Sequence, residues 1–243
     1  MHDYLFYLAL TSAIFAGAVV SGFAGFAFSA VAGVILMHLL APHEAVPLMM
    51  ACSIAVQLIG LVTLRSCMNW RASLPFLAGG AAGIPPAVYL LHHMDTWTLR
   101  IGFGVFIAAY ACYMLVCPTF SFFQKGRPAG AAAAVGFAGG LIGGLTAMPG
   151  AAPTIWCNLC GMPKDEQRGV VQPYIMIMQC IAIVLLLGSG GFSRATLLNT
   201  MAGLPALVAG TAIGIYLFRR ASPGSYRRVV LSILFAGGIG LVL

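Results

Sequence analysis

The sequence predicts an all-α polytopic membrane protein, and three observations indicate this fold class: the composition, the spacing of the charges and an internal duplication. Of the 243 residues, 61% are hydrophobic and only 7% are charged, whereas a soluble domain carries about 25% charged residues. Long uncharged runs separate the charges and comprise residues 45–64, 72–94, 101–124, 169–193, 195–218 and 229–243. Most of these runs suit a helix that crosses the bilayer, which needs about 20 apolar residues.

Two further uncharged runs, 4–43 and 128–163, are too long for one span. As a single helix, 128–163 would reach roughly 54 Å, beyond a hydrocarbon core of about 30 Å. Gly-rich clusters lie near the middle of both runs, at 21–28 and 139–150. We therefore expect each run to form a short Gly-rich helical hairpin broken at mid-run, and the pattern leaves open whether the hairpins span fully or are re-entrant. Irregular backbone at membrane depth is tolerated only where protein or a watery cavity surrounds it.

The expected elements form two membrane repeats, residues 1–124 and 125–243. The first contains hairpin 4–43 and spans 45–64, 72–94 and 97–117. The second contains hairpin 128–163 and spans 166–188, 195–218 and 225–243.

Matching residues recur in the same order in both halves. They are Gly22 and Gly25 with Gly140 and Gly143, Pro42 with Pro163, Gln57 with Gln179, 71–74 with 194–197, and Arg100 with Arg227. Because each repeat has five segments, an odd number, the second repeat would enter the membrane from the opposite face. Such inverted repeats with broken helices are typical of secondary transporters, whose substrate site lies near the midplane.

The distribution of basic residues predicts the orientation. If ten helical segments alternate across the membrane, ten of the twelve Lys and Arg residues fall on one side: Arg65, Arg71, Lys125, Arg127, Lys164, Arg168, Arg219, Arg220, Arg227 and Arg228. The positive-inside rule makes this side cytoplasmic and places both termini in the periplasm of a bacterial inner membrane. The N-terminus lacks the basic region and cleavage site of a signal peptide. Topology therefore explains the net charge of +7, and we expect no nucleic-acid partner.

The sequences of the two expected hairpins resemble those of a known family. The segments GFAGFAFSAVAGVILMHLLAP, from Gly22 to Pro42, and GGLIGGLTAMPGAAPTIWCNLCGMP, from Gly139 to Pro163, resemble the TauE/SafE family of sulfite and organosulfur-anion permeases. The resemblance covers essentially the whole chain. It implies a secondary transporter, driven by an ion gradient without ATP, for a small sulfur-containing anion such as sulfite, a sulfonate or sulfoacetate.

The residues of the hairpins also suit an anion. A helix that begins inside the membrane presents unpaired N–H groups and the positive end of its dipole, glycine permits close approach of a ligand to the backbone, and amides or hydroxyls donate hydrogen bonds without a buried charge. The candidate substrate-binding residues are Ser21, Gly22, Gly25, Ser29, Gln57, Gly140, Gly143, Gly144, Thr146, Pro149 and Gln179. The alternative is structural: small residues permit close helix packing in lipid, and glutamines bond neighbouring helices.

Ionisable residues are scarce in the apolar runs. Glu44, at the start of a span, is a candidate for ion coupling, and Arg168 is a candidate for attracting anions at the inner mouth. For Glu44, capping of the first helical turn is the alternative role.

A C-x-x-C formed by Cys157 and Cys160 leaves a second class of function open, because it is either a redox pair, half of a metal site or simple packing. No second C-x-x-C or His pair completes a zinc set, and no enzyme motif is present. We expect neither cofactor nor metal and no enzymatic activity. An anion channel of the same architecture and a membrane thiol oxidoreductase are the alternative functions. The expected partners are a small anion and the lipid bilayer, and a homo-oligomer is compatible with the sequence.

Overall fold

The computed structural model describes residues 2–25, 27–64, 68–116 and 129–220, with four further residues near the C-terminus, and all regular structure within these residues is helical. The helices are α1 (His2–Ala24), α2 (Phe28–Leu39), α3 (Pro42–Leu64), α4 (Trp70–His93), α5 (Thr96–Val116), α6 (Ala129–Thr146), α7 (Ala151–Leu159), α8 (Lys164–Gly188) and α9 (Arg194–Arg220). Most of the expected span 225–243 and the basic residues Arg65, Lys125, Arg127, Arg227 and Arg228 lie outside the described residues.

Six helices of the described part are long and apolar enough to cross a membrane, and they are α1, α3, α4, α5, α8 and α9. Their outer surfaces are apolar as well, since Tyr4, Trp97 and Val184 are 86%, 72% and 66% exposed. An apolar exterior of this kind is stable only in lipid. The prediction of an all-α polytopic membrane protein is therefore confirmed, whereas the division into two inverted repeats stays a prediction.

Each long uncharged run is broken once. The first break separates α1 from α2 at Gly25, whose φ is +89°, and the second separates α6 from α7 at Ala147, whose φ is +56°. Glycine adopts this left-handed region readily, and alanine does so at a cost of about 1–2 kcal/mol. At about 1.5 Å per residue, α2 and α7 are roughly 18 and 14 Å long, so neither crosses a hydrocarbon core of about 30 Å by itself.

The second break lies within the cluster 139–150, but the first four glycines of the cluster do not form it. Gly139, Gly140, Gly143 and Gly144 all lie inside α6, which continues to Thr146. The physical reason is the packing of α6 against α4: a Cβ added at Gly140 would overlap the carbonyl oxygen of Gly80. Glycines that permit close approach of two backbones are a common basis of helix association in lipid.

The same close packing predicts a stability effect at Gly136, also on α6. A Cβ there would overlap the carbonyl of Phe76, whereas a Cβ at Gly102 on α5 would have nothing within 4 Å. We expect Gly136→Ala to destabilise the protein by about 1–3 kcal/mol, because the two backbones must separate. Gly102→Ala should be neutral or stabilising by up to about 1 kcal/mol through helix propensity. Thermal unfolding in detergent measures both, and equal midpoints for the two variants would contradict this account of the packing.

Helices α4 and α8 lie side by side in the same direction. The backbone N–H of Asn69, which caps α4, donates to the Gly169 carbonyl at 2.9 Å, and His92 near the other end of α4 lies 3.4 Å from the Ser189 hydroxyl, just after α8. The residues preceding α4 and those at the start of α8 thus lie on the same side of the bundle.

After the end of α4, the Asp95 carboxylate accepts hydrogen bonds from the backbone N–H and the hydroxyl of Thr98. These two bonds hold the pKa of the Asp95 carboxyl below its ordinary value.

The remaining helices complete the bundle around α3 and α8. Helix α1 packs along α9, as α6 packs along α4, while α3 and α8 contact each other and lie against α9 and α4, respectively. Gly22 on α1 is part of the first contact, since a Cβ there would lie 2.7 Å from the Thr211 carbonyl oxygen on α9. The two breaks lie at the ends of α1 and α6, the helices that pack along α9 and α4.

Candidate functional site

The two breaks touch each other in the interior. The hydroxyl of Ser29, in the first turn of α2, donates to the carbonyl of Ala147 at 2.7 Å. Ser29 and Ala147 are 1% and 2% exposed. This buried hydrogen bond connects the first turn of α2 with Ala147, the residue that follows α6.

A central glutamine supports each break. Gln57 on α3 donates from Nε2 to the Gly25 carbonyl, and Gln179 on α8 donates from Nε2 to the Ala147 carbonyl, both at 3.1 Å. Each glutamine follows its acceptor by 32 residues, and each acceptor is the residue with the left-handed φ. The glutamines therefore bind carbonyls that the breaks take out of the helical hydrogen-bond pattern, which would be costly to leave unpaired in the interior.

Two helices begin at the breaks without a side-chain cap. The N-cap of α2 is Ala27 and that of α7 is Gly150, and neither helix has a side-chain hydrogen bond at this end. The first turn of α2 carries three backbone N–H groups; the first turn of α7 has fewer to offer, because Ala151 already donates to Met148 and position 153 is proline. The first N–H groups of a helix have no partner inside the helix and carry the positive end of its dipole. Both ends can thus stabilise negative charge.

Arg168 brings a full positive charge to the first break. Its guanidinium donates to the carbonyls of Gly22 and Phe23 at 3.3 and 3.1 Å, and its Nε would lie 2.8 Å from a Cβ on Gly25. Arg168 thus holds the carboxyl end of α1, where a cation is favourable. Its side chain is half-buried, and its role in attracting anions at the inner mouth stays a prediction.

Glu44 lies far from the breaks. It occupies the first turn of α3, thirteen residues before Gln57 and hence roughly 20 Å away along the helix axis. An acidic residue in a first helical turn stabilises the helix dipole. The structure does not bring Glu44 to the other candidates, and its role in ion coupling stays a prediction.

The candidate glycines separate into two groups. Gly25 and Gly143 lie at the breaks, against Arg168 and Pro149 respectively, with only 2.5 Å between the Cβ of Pro149 and a Cβ added at Gly143. Gly22, Gly140 and Gly144 lie at helix contacts, where added Cβ atoms would meet Thr211, Gly80 and Ala87. The second group serves close helix packing in the structure, and direct substrate contact by it stays a prediction.

Three further candidates lie beside the breaks. The Thr146 hydroxyl donates back to Ile142 at the end of α6, and Pro149 precedes the N-cap of α7. The Ser21 side chain is 2% exposed, and its Oγ has no hydrogen-bond partner among the described residues.

Ala147 is the residue that sequence reasoning missed. Its left-handed φ would ordinarily indicate glycine, so the glycines of the cluster 139–150 are the expected candidates, although the break does lie within that cluster. One signal could have found it: Gln57 follows Gly25 by 32 residues, and the same interval before Gln179 leads to Ala147.

The C-x-x-C lies in the core. Cys157 is fully buried and Cys160 is 8% exposed, and both belong to the main apolar cluster. Among the described residues, no three His, Cys, Asp or Glu side chains are grouped so that they could hold a metal ion.

Comparison with known families decides the class of this chain. A family model described as Sulfite exporter TauE/SafE matches residues 9–241. The chain belongs to the TauE/SafE family. This confirms the resemblance seen in the hairpin segments, and membership in a transporter family agrees with the six apolar helices. No curated protein and no solved structure matches the chain.

Proposed function

We propose that this TauE/SafE protein is a secondary transporter that binds a small sulfur-containing anion, such as sulfite, a sulfonate or sulfoacetate, between its two breaks and uses an ion gradient. The observation that supports the proposal is the contact between the breaks, in which the Ser29 hydroxyl donates to the Ala147 carbonyl. The uncapped starts of α2 and α7 therefore lie on either side of this hydrogen bond. Glu44 and a proton or sodium gradient remain candidates for coupling.

Backbone groups can hold an anion here at low cost. A buried lysine would need compensation for its charge when the site is empty, whereas backbone N–H groups and helix dipoles carry only partial charges. The guanidinium of Arg168 is already stabilised by hydrogen bonds to two carbonyls. Such a site can release its ligand, as a transporter requires.

We also propose that the chain is an inverted duplication. The supporting pattern is pairwise: Gln57 bonds Gly25 as Gln179 bonds Ala147, and α1 packs on α9 as α6 packs on α4. In such an architecture, rocking of one repeat against the other exposes a central site to the two sides in turn. The periplasmic termini, the location in a bacterial inner membrane and association into a homo-oligomer belong to this proposal as well.

Uptake into proteoliposomes tests the function. We expect labelled sulfite to accumulate when an ion gradient is imposed, and unlabelled thiosulfate, sulfoacetate and taurine to compete according to their fit. Counterflow separates a transporter from a channel, because only a carrier exchanges external labelled sulfite for internal unlabelled sulfite. Absence of transport for the whole panel would refute the substrate class, and transport without counterflow would favour the channel.

The thiol alternative predicts a different outcome for a double variant. If Cys157 and Cys160 only pack in the core, Cys157→Ala with Cys160→Ala should retain most of the sulfite transport and respond to reductant like the wild type. The small apolar replacement suits these buried positions. Loss of transport by a variant with unchanged expression and melting temperature would instead favour a chemical role for the thiols.

A further inference from the structure

The side-chain amide of Gln179 has an unused acceptor at the second break. Gln179 is 1% exposed, and its Oε1 has no hydrogen-bond partner among the described residues. The Ala147 carbonyl, which can only accept, faces the other side of the amide at 3.1 Å. This neighbour determines which end of the amide is the NH₂ group. Because Oε1 and Nε2 share one carbon, Oε1 lies beside the same break.

A second polar group without a partner lies at the first break. On α1, a Cβ at Gly17 would lie 2.9 Å from the Phe28 carbonyl oxygen, so this face of α1 is directed to the start of α2. Ser21 follows by one helical turn and lies on the same face. Its buried Oγ lacks a partner within the described part of the chain.

The Ser21 hydroxyl and the Gln179 amide oxygen would form different kinds of hydrogen bond with a ligand. A hydroxyl such as that of Ser21 can donate to an anion's oxygens, as the helix starts can, whereas an amide oxygen only accepts. An anion whose polar atoms are all acceptors would leave Gln179 Oε1 buried and unpaired, and would repel it. A ligand with both a negative charge and an O–H or N–H group satisfies every one of these partners.

We propose that Gln179 is a specificity-determining residue, which selects sulfur oxyanions that carry a hydrogen-bond donor beside the anionic group. Hydrogensulfite and hydroxyalkanesulfonates have such a donor, whereas sulfite dianion and plain alkanesulfonates have none. This inference rests on the proposed anion site between the breaks and adds which ligands that site prefers.

Two sulfonates of equal charge and similar size test the preference. In 2-hydroxyethanesulfonate a hydroxyl replaces the methyl group of propane-1-sulfonate, and titration calorimetry with the purified protein gives both affinities. We expect the hydroxylated ligand to bind about tenfold or more tightly, the usual value of satisfying a buried acceptor. Equal affinities would overturn the proposal while leaving the anion site in place. Failure of both sulfonates and of sulfite to bind would instead overturn the proposed function.

Gln179→Leu identifies the residue responsible. The two affinities should become equal in this variant, because the acceptor is gone. Gln172→Leu is the matched control, since Gln172 lies two turns earlier on α8, is 6% exposed and also has a buried Oε1 without a partner among the described residues. This control should keep the preference. A preference that persists in Gln179→Leu, or disappears in both variants, would overturn the assignment. Should the Leu variant not fold, Gln179→Asn retracts the amide by one methylene and should also lose the preference.

Discussion

Gly25→Ala should abolish transport almost completely. The residue has a φ of +89°, and an added Cβ would lie 2.8 Å from Nε and 3.1 Å from Nη2 of Arg168. The guanidinium must then move away from the end of α1, and the carbonyl that Gln57 binds must shift with the strained backbone. A displacement of about 1 Å at a site of this kind can reduce a rate on the order of 100-fold. Sulfite uptake per folded protein in proteoliposomes measures the loss.

Gly190→Ala is the matched control for backbone strain. Gly190 has a φ of +73°, but a Cβ there would have nothing within 4 Å. The control should lose about 1–2 kcal/mol of stability through the left-handed conformation alone, with transport close to wild type. If Gly25→Ala transports as well as Gly190→Ala, the geometry of the first break is not important for function.

Arg168→Gln should weaken anion binding by about tenfold to a hundredfold. Glutamine retains donors for the carbonyls of Gly22 and Phe23 but removes the charge at the carboxyl end of α1, beside the first break, and interactions with charged groups contribute about 1.5–3 kcal/mol. The anion affinity of Arg168→Lys should lie between those of the wild type and of Arg168→Gln, because an ammonium retains the charge without the planar fork that spans two carbonyls. Affinity for sulfite, measured by titration, distinguishes the three proteins.

Arg71→Gln provides the comparison for that effect. Arg71 is exposed in the first turn of α4, and α4 begins beside the start of α8. Removing its charge should change the sulfite affinity little, since an exposed charge is screened by salt. Equal losses for Arg71→Gln and Arg168→Gln would mean that general attraction, and not the position of Arg168 at the break, determines the affinity.

Composition and the spacing of the charges predicted the medium and the helical class, because a chain with 7% charged residues cannot cover itself in water. They also predicted that both long runs would be broken, since each exceeds a single span. The first break was found within its glycine cluster, at Gly25. The second break also lies within its cluster, 139–150, but its left-handed residue is Ala147 and not a glycine, while Gly140 and Gly144 permit the approach of α4 to α6.

Contacts between distant residues could not be read from the chain. Nothing local indicates that Arg168 would reach Gly22 and Phe23, almost 150 positions earlier, because such pairs depend on the three-dimensional packing of the whole bundle. The amides of Gln57 and Gln179 were expected to donate to substrate, yet each uses a donor for a backbone carbonyl. Only the three-dimensional arrangement reveals which hydrogen-bonding groups remain for a ligand.

The location of a bound anion tests the proposed site between the two breaks. Selenite has the shape and charge of sulfite, and its selenium gives an anomalous signal that locates it in a crystal of the protein. The account predicts one anomalous peak between the first turns of α2 and α7, within hydrogen-bonding distance of their backbone N–H groups and beside Ser29 and Gln179. A peak only at exposed basic residues such as Arg71, with none between the breaks, would contradict it.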